Sequence, residues 1–222
     1  MSIKPTKKSD SEKEWLTKRR SKIQRIAPEY HLIVSEGTET EPNYFNRIRE
    51  IINKNYSDRI QLKVEGQGKN TVSLFNAAKN IAEHDANGFK HVWIVYDTDS
   101  FSADQVNAVV RLCKDNSTTE TTYHAIWSNQ CIELWYLLHF EYLQSDIDRK
   151  AYSTKLTKHL NSINAGSYRK NRDGMYDILL PYMGTAINNA KKLKSKNAGK
   201  SPSQAAPGTE VVTLIEKLKK YL

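Results

Sequence analysis

The sequence predicts an α/β fold: a mainly parallel four-stranded sheet with helices on both faces, a helical C-terminal elaboration and a basic N-terminal helix. Three observations carry that expectation. Short apolar runs with strand character alternate with segments of helical periodicity as far as residue 129, which is how a parallel sheet is built through crossover connections. Beyond residue 130 only helical periodicity remains. No apolar run approaches the roughly 18 to 20 residues of a membrane span.

The elements follow in order. Residues 11–26 set Trp15, Leu16, Ile23 and Ile26 among lysines and arginines, a basic helix with a thin apolar stripe that Pro28 ends. The run from Tyr30 to Val34 reads as a buried strand. Thr40 is placed to cap a helix with Pro42 in its first turn and Tyr44, Phe45, Ile48, Ile51 and Ile52 on one face. Residues 60–64 alternate as a second strand. Gly66, Gln67, Gly68 and Lys69 then turn the chain, and Asn70 is placed to cap a helix through Val72, Phe75 and Ile81. A third strand runs from His91 to Tyr96, a helix from Ala103 to Lys114, and a fourth strand from Thr121 to Trp127. Helices are expected over 131–140, 152–164, 174–183, 185–195 and 209–222. Residues 196–208, rich in Gly, Pro, Ser and Ala, read as a flexible linker. The chain thus divides into an arm (1–28), an α/β core (29–140) and a helical region (141–222) packed on that core as one unit.

Composition narrows the function. The 222 residues carry a formal charge of +9. Residues 1–28 hold +6, residues 189–222 hold +6, and the body between them holds −3. Basic ends on a slightly acidic body suit contact with a phosphate backbone, and they also suit a solubilising surface. Two cysteines, Cys113 and Cys131, cannot form a disulfide framework and fit reduced thiols in the cytoplasm. The N-terminus shows no apolar signal segment, so a cytoplasmic location and no membrane partner are expected.

Ligands of open α/β sheets bind beyond the carboxyl ends of the strands. Three of the four predicted strand ends carry acid there: Glu36, Glu39 and Glu41 after the first, Asp97 and Asp99 after the third, and Ser128, Asn129 and then Glu133 after the fourth. Carboxylates sharing a small site stay ionised only if a cation cancels their charge. Hard oxygen donors suit Mg²⁺ or Mn²⁺, one or two ions, and two such ions can act on a phosphodiester. Glu36, Glu41, Asp97, Asp99 and Glu133 are the candidate ligands. Acid at a helix start also complements the macrodipole, and Asp-x-Asp also serves as a capping turn.

The segments Ser35-Glu36-Gly37, Thr40-Glu41-Pro42-Asn43-Tyr44-Phe45 and Val95-Tyr96-Asp97-Thr98-Asp99 resemble a Toprim core. With Ser128-Asn129-Gln130-Cys131-Ile132-Glu133-Leu134-Trp135 and Leu137-Leu138-His139-Phe140, followed by Tyr168-x-Lys170, the chain is similar to the RloB family over about residues 29–183. Gln130 and Ile132 stand where that family has Pro and Phe. Ala206-Pro207-Gly208-Thr209 stands where it has Asn-Pro-Ser-Thr. The resemblance implies a Toprim-like Rossmannoid core and a metal-dependent nuclease acting on RNA or DNA in phage-defence, abortive-infection systems of the AbiL type. It implies catalytic roles for Glu36, Asp97 and Asp99. By similarity to OLD-type nucleases, Glu41 and Glu133 complete the metal sites and Ser128 orients one of them. It also implies a RecF- or SMC-like ATPase as partner, which must be another chain because no Gly-x-x-x-x-Gly-Lys-Ser/Thr occurs here.

Other residues join the candidate list as substrate contacts. Lys69 follows a glycine turn that could present N–H groups to phosphate. Asn129 lies beside Ser128. His139 shares a helix face with Trp135, as core packing or as a proton shuttle near the carboxylates. Tyr168, Arg169, Lys170, Arg172 and Tyr176 mix aromatic and basic groups, as a solvated helix face or as a single-strand binder. Lys170 is the candidate for charge on the scissile phosphate. Two other functions fit less of the pattern. One is a non-catalytic Toprim-fold subunit that binds nucleic acid or a partner. The other is a haloacid-dehalogenase-like phosphatase, whose Asp-x-Asp would follow the first core strand.

Overall fold

The computed structural model describes residues 27–98 and 101–222. The expected N-terminal helix over residues 11–26 and the candidate ligand Asp99 lie outside the described residues.

The sheet follows from the sequence alternation. β1 (Glu29–Ser35), β2 (Ile60–Gly66), β3 (His91–Asp97) and β4 (Thr122–Asn129) are parallel, in the order β2-β1-β3-β4. Helices α1 (Thr40–Asn55), α2 (Thr71–His84) and α3 (Ala103–Asn116) make the three crossovers. Successive side chains of a strand point to opposite faces, and β1 and β3 are apolar on both. Ile33, Trp93 and Val95 join one core with Tyr44, Phe45 and Ile48 of α1. Leu32, Val34, Val92, Ile94 and Tyr96 join a second with Leu74 and Phe75 of α2 and Val106 and Val109 of α3. Burial on both faces is why these strands read as nearly continuous hydrophobic runs.

The C-terminal region covers the α1 face. It comprises α4 (Glu133–Leu137), α5 (Arg149–Ser162), α6 (Met175–Leu179), α7 (Met183–Lys196) and α8 (Val211–Leu218). Trp135, Leu156, Leu179, Leu193 and Leu214 enter the same core as Ile33 and Phe45, so helical region and sheet share one interior. Trp135 Nε1 donates to Tyr44 Oη at 2.9 Å, and Asn189 Nδ2 donates to the Leu138 carbonyl at 2.9 Å. Those bonds satisfy polar groups that would otherwise be costly at such depth.

Several boundaries differ from expectation, each with a local cause. Thr40 does not cap α1: Glu39 holds the cap position, and Thr40 Oγ1 donates to the Lys170 carbonyl at 2.9 Å. The helix expected over 131–140 is regular only from Glu133 to Leu137, and tightens to an i, i+3 bond at Phe140. The helix expected over 174–183 breaks into α6 and a 3₁₀ turn at Leu180–Tyr182, where Pro181 has no N–H to return.

The largest correction concerns residues 196–208. Their Gly and Pro content reflects close packing, not flexibility. Gly208–Thr209 form a fifth strand, β5, antiparallel to Ser128–Asn129, so the sheet has five strands where four were expected. Asn197 Nδ2 donates to the Pro207 carbonyl at 2.8 Å, and Ala205, Gly208 and Thr209 are buried. A Cβ on Gly208 would meet the Ala205 carbonyl oxygen at 2.5 Å, inside contact distance. The Asn129–Gln130 and Ala206–Pro207 peptides are cis.

Candidate functional site

The strand order reverses between β1 and β3, since β1 leads outward to β2 while β3 leads outward to β4. Such a switch point leaves a crevice at the carboxyl ends of the two strands. Glu36 leaves β1 there and Asp97 ends β3. The backbones are laced together at this point. Glu36 N–H donates to the Val95 carbonyl at 2.9 Å, and Gly68 N–H donates to the Glu36 carbonyl at 2.9 Å. The Asp97 N–H approaches Glu36 Oε2 at 3.4 Å.

Four carboxylates gather around this crevice. Asp97 Oδ1 accepts from the Ile132 N–H at 3.0 Å, and its Oδ2 lies 3.7 Å from Arg149 Nη2. Glu41, in the first turn of α1, is buried, and it approaches Gly37 so closely that a Cβ there would collide with its carboxylate. Glu133 opens α4 and is 5% exposed. Its Oε1 accepts from Tyr168 Oη at 2.9 Å, while its Oε2 is buried without a partner.

Desolvation dominates the electrostatics. Burial, reinforced by Glu41, Glu133 and Glu36, pushes Asp97 well above the ordinary aspartate range. Burial and the neighbouring Glu133 charge raise Glu41. Burial raises Glu36 to about 7, with Glu41 adding to the rise while the Asp97 N–H, Arg149 and Lys170 oppose it. These carboxyls hold protons because burial penalises their charged form and the neighbouring acids repel one another. Hard oxygen donors and an orphaned buried carboxylate oxygen are a donor set that fits a divalent cation.

Opposite the acid, Lys69, Arg149 and Lys170 line a cavity of about 500 Å³ together with Glu36, Glu41 and Asp97. Lys170 is carried by a loop that Thr40 ties to α1, and Arg172 stiffens the loop by donating to the Ala165 and Ser167 carbonyls. Arg149 begins α5, behind Asp148, which caps the helix through the Lys150 N–H at 2.9 Å. No sequence motif marks Arg149. Its place became visible only when the chain from α4 to α5 was folded over the strand ends.

The other expected contacts lie elsewhere. Ser128 and Asn129 sit inside β4 and are buried: Ser128 Oγ bonds Thr209 Oγ1 at 2.9 Å and Asn129 Nδ2 donates to the Pro202 carbonyl at 3.1 Å. The Ser128 side chain holds β5 and that of Asn129 holds the 3₁₀ turn at Pro202–Gln204, and neither lines the cavity. His139 is 1% exposed, with Nδ1 against the Trp135 carbonyl at 2.9 Å and its ring edge-on to the indole. Of its two readings, packing is the one realised. Tyr168 and Tyr176 are buried as well, so neither ring is open for stacking.

A second cluster lies at the opposite end of the sheet. Among the described residues, Glu29, His31 and His91 bring one ligand-type atom each within 4.8 Å of one another, so by spacing they could hold a metal ion. Sequence reading missed them because the register of β1 and β3, which pairs His31 with His91, creates the cluster. Trp93 Nε1 donates to His31 Nδ1 at 3.2 Å, which leaves the His31 proton on Nε2, facing Glu29 Oε1 at 3.0 Å. Lys217 Nζ lies 3.4 Å from the same oxygen. A metal ion there has to displace both that proton and that ammonium group.

Comparison with known families decides the kinship. A family model described as RloB-like protein matches residues 31–218. The chain belongs to the RloB-like family. The match spans both strand ends of the carboxylate site, the Tyr168–Lys170 loop and β5, so the helical region is part of the shared unit. No curated protein and no solved structure matches this RloB-like chain. Among the described residues, no helix is long and apolar enough to cross a membrane.

Proposed function

We propose that this RloB-like protein is a metal-dependent nuclease of Toprim type that cuts phosphodiester bonds in RNA or DNA, as the effector of a phage-defence system. The supporting observation is the group of four carboxylates at the β1/β3 switch point, of which Glu36, Glu41 and Asp97 are raised in proton affinity and Glu133 keeps a buried Oε2 without a hydrogen-bond partner. Glu36, Glu41, Asp97 and Glu133, with Asp99 by family resemblance, would hold Mg²⁺ or Mn²⁺. When bound, such an ion supplies charge neutralisation and an activated water.

The chain's own residues do the rest. The Ile132 N–H fixes the Asp97 carboxylate, and Tyr168 Oη fixes one oxygen of Glu133. Lys69 and Lys170 reach the cavity from separate segments and bind phosphate oxygens on two sides. Arg149 draws Asp97 toward its charged form and adds a third cation to the wall. Glu36, centred at about 7, exchanges a proton in the neutral range before any cation enters. An ATPase partner, if the system has one, is a separate chain.

The test is incubation with total RNA and with plasmid DNA in Mg²⁺ or Mn²⁺. The wild type should cut one of them, and Asp97→Asn, which keeps the acceptor for the Ile132 N–H, should not. Cleavage by Asp97→Asn at the wild-type rate, or undiminished cleavage in excess chelator, refutes the proposal.

A further inference from the structure

Resting on the nuclease reading, we infer that the carboxylate cavity accepts one nucleotide unit of a single strand, not an intact duplex, and that Phe101 sets this preference by stacking on a base. The first observation is depth. Of the acids that line the cavity, Asp97 and Glu41 are only 9% and 5% exposed and form its floor, while Glu36 is half-buried and Glu39 stands exposed at the rim. The walls come from separate segments: the β1–α1 turn, the Gly68–Asn70 turn, Phe101, Arg149 and the Lys170–Asn171 loop. About 500 Å³ lies in the range that encloses a ligand of small-molecule size, roughly 300–1,000 Å³. A phosphate must enter with its sugar and base to reach that floor, and bases stacked inside a duplex cannot follow.

The second observation is the chemistry of the wall. Phe101 is the one aromatic side chain among the cavity-lining residues, and it keeps part of its surface open. Every base has a face that can stack on it, so it would select for unstacked bases without reading sequence. Asn70 and Asn171 line the same cavity. Asn70 holds the N-cap position of α2 in extended conformation, yet its side chain makes no capping bond. Asparagine is favoured at that position for the bond it forms. Here the amide is left to the cavity, where it can pair with a base edge or a sugar hydroxyl. Tyr168 and Tyr176, the aromatic residues that suggested stacking in the sequence, are buried, and Phe101 takes the role they cannot fill.

The experiment measures binding rather than cleavage. Full-length Asp97→Asn protein is titrated against a labelled 12-nucleotide single strand, as DNA and as RNA, and against the blunt duplex of the same sequence. Fluorescence anisotropy is read at two salt concentrations, because backbone contacts alone are strongly salt-dependent. The single strand should bind at least roughly 10-fold more tightly than the duplex. Adding Phe101→Ala should weaken single-strand binding by roughly 10-fold and leave duplex binding unchanged, and adding Phe101→Trp should restore it. Equal or tighter duplex binding overturns the inference. So does a Phe101→Ala loss that is the same for both forms, or an unchanged single-strand affinity in a variant whose circular dichroism matches the parent. The two readings fail separately. Selective single-strand binding without metal-dependent cutting by the wild type sinks the nuclease reading alone, and efficient duplex cutting sinks only the single-strand preference.

Discussion

Replacing Glu36 with glutamine should stabilise the metal-free protein, and only above mildly acidic pH. Glu36 is held at about 7 against an ordinary value of 4.5. A carboxyl raised in the folded state binds its proton more tightly there than in the unfolded chain. Folding is therefore unaffected below about 4.5, loses stability as pH rises from 4.5 to 7, and carries the full penalty above 7. At 1.36 kcal/mol per pH unit the separation corresponds to about 3 kcal/mol. Glu36 is partly open to water, and screening reduces this to about 1–2 kcal/mol. The assay is urea unfolding in chelator at pH 5, 6, 7 and 8, comparing wild type with Glu36→Gln. Midpoints should nearly coincide at pH 5 and separate by about 0.5–1 M at pH 8, with the variant ahead, for an m-value near 2 kcal/mol/M. The histidine cluster tilts both curves alike and cancels in the difference. Saturating Mg²⁺ at pH 8 should raise the wild type more than the variant. A midpoint difference that stays constant from pH 5 to 8 would refute the charge-deficient site.

Three further outcomes follow from the same geometry. Tyr168→Phe removes the donor on Glu133 Oε1 and leaves that buried carboxylate unpartnered at both oxygens; it should cost about 1–3 kcal/mol in urea unfolding, and the deficit should shrink in Mn²⁺. Gly37→Ala drives a Cβ into the Glu41 carboxylate and should lower stability by about 1–3 kcal/mol and abolish nuclease activity, as read by thermal denaturation and a cleavage assay. His31, His91 and His124 are each lowered to about 4 from 6.5, chiefly by burial. A base depressed in the fold contributes stability that is present above 6.5 and lost as pH falls from there towards 4. His31→Gln should flatten that acid limb, measured as urea midpoints at pH 4.5, 5.5 and 7.

The strand–helix alternation was legible because β1 and β3 are buried on both faces and leave apolar runs too short for a helix, set between segments of clear helical periodicity. The acid at the strand ends was legible for the same reason: once the strands are known, parallel topology brings Glu36 and Asp97 together. Glu41 and Glu133 followed from the turns just beyond. What stayed hidden depended on contacts across long stretches of chain. Arg149 reaches Asp97 only because α4 and α5 fold over the strand ends, and nothing near it in sequence marks that path. Gly, Pro and Ser at 196–208 carry two meanings, flexibility and tight approach, and only the contact of Gly208 with Ala205 separates them. His31 and His91 are 60 positions apart, and their meeting is a matter of register. Tyr168 was singled out for its type, but a tyrosine can present its ring or its hydroxyl, and here the hydroxyl reaches Glu133.

The fifth strand has a consequence for the timing of folding. Ser128 and Thr209 are 81 positions apart and meet through their hydroxyls. Contacts of such separation require a long loop to close first, and they form late when local structure is quick. A chain made from its N-terminus has β1 to β4 available well before residues 208–218 emerge. The end of β4, which leads directly into Glu133, therefore gains its outer partner only after Gly208 and Thr209 have been made. If the protein cuts the nucleic acid of its own cell, that order keeps the last carboxylate of the site without its finished frame until β5 has docked.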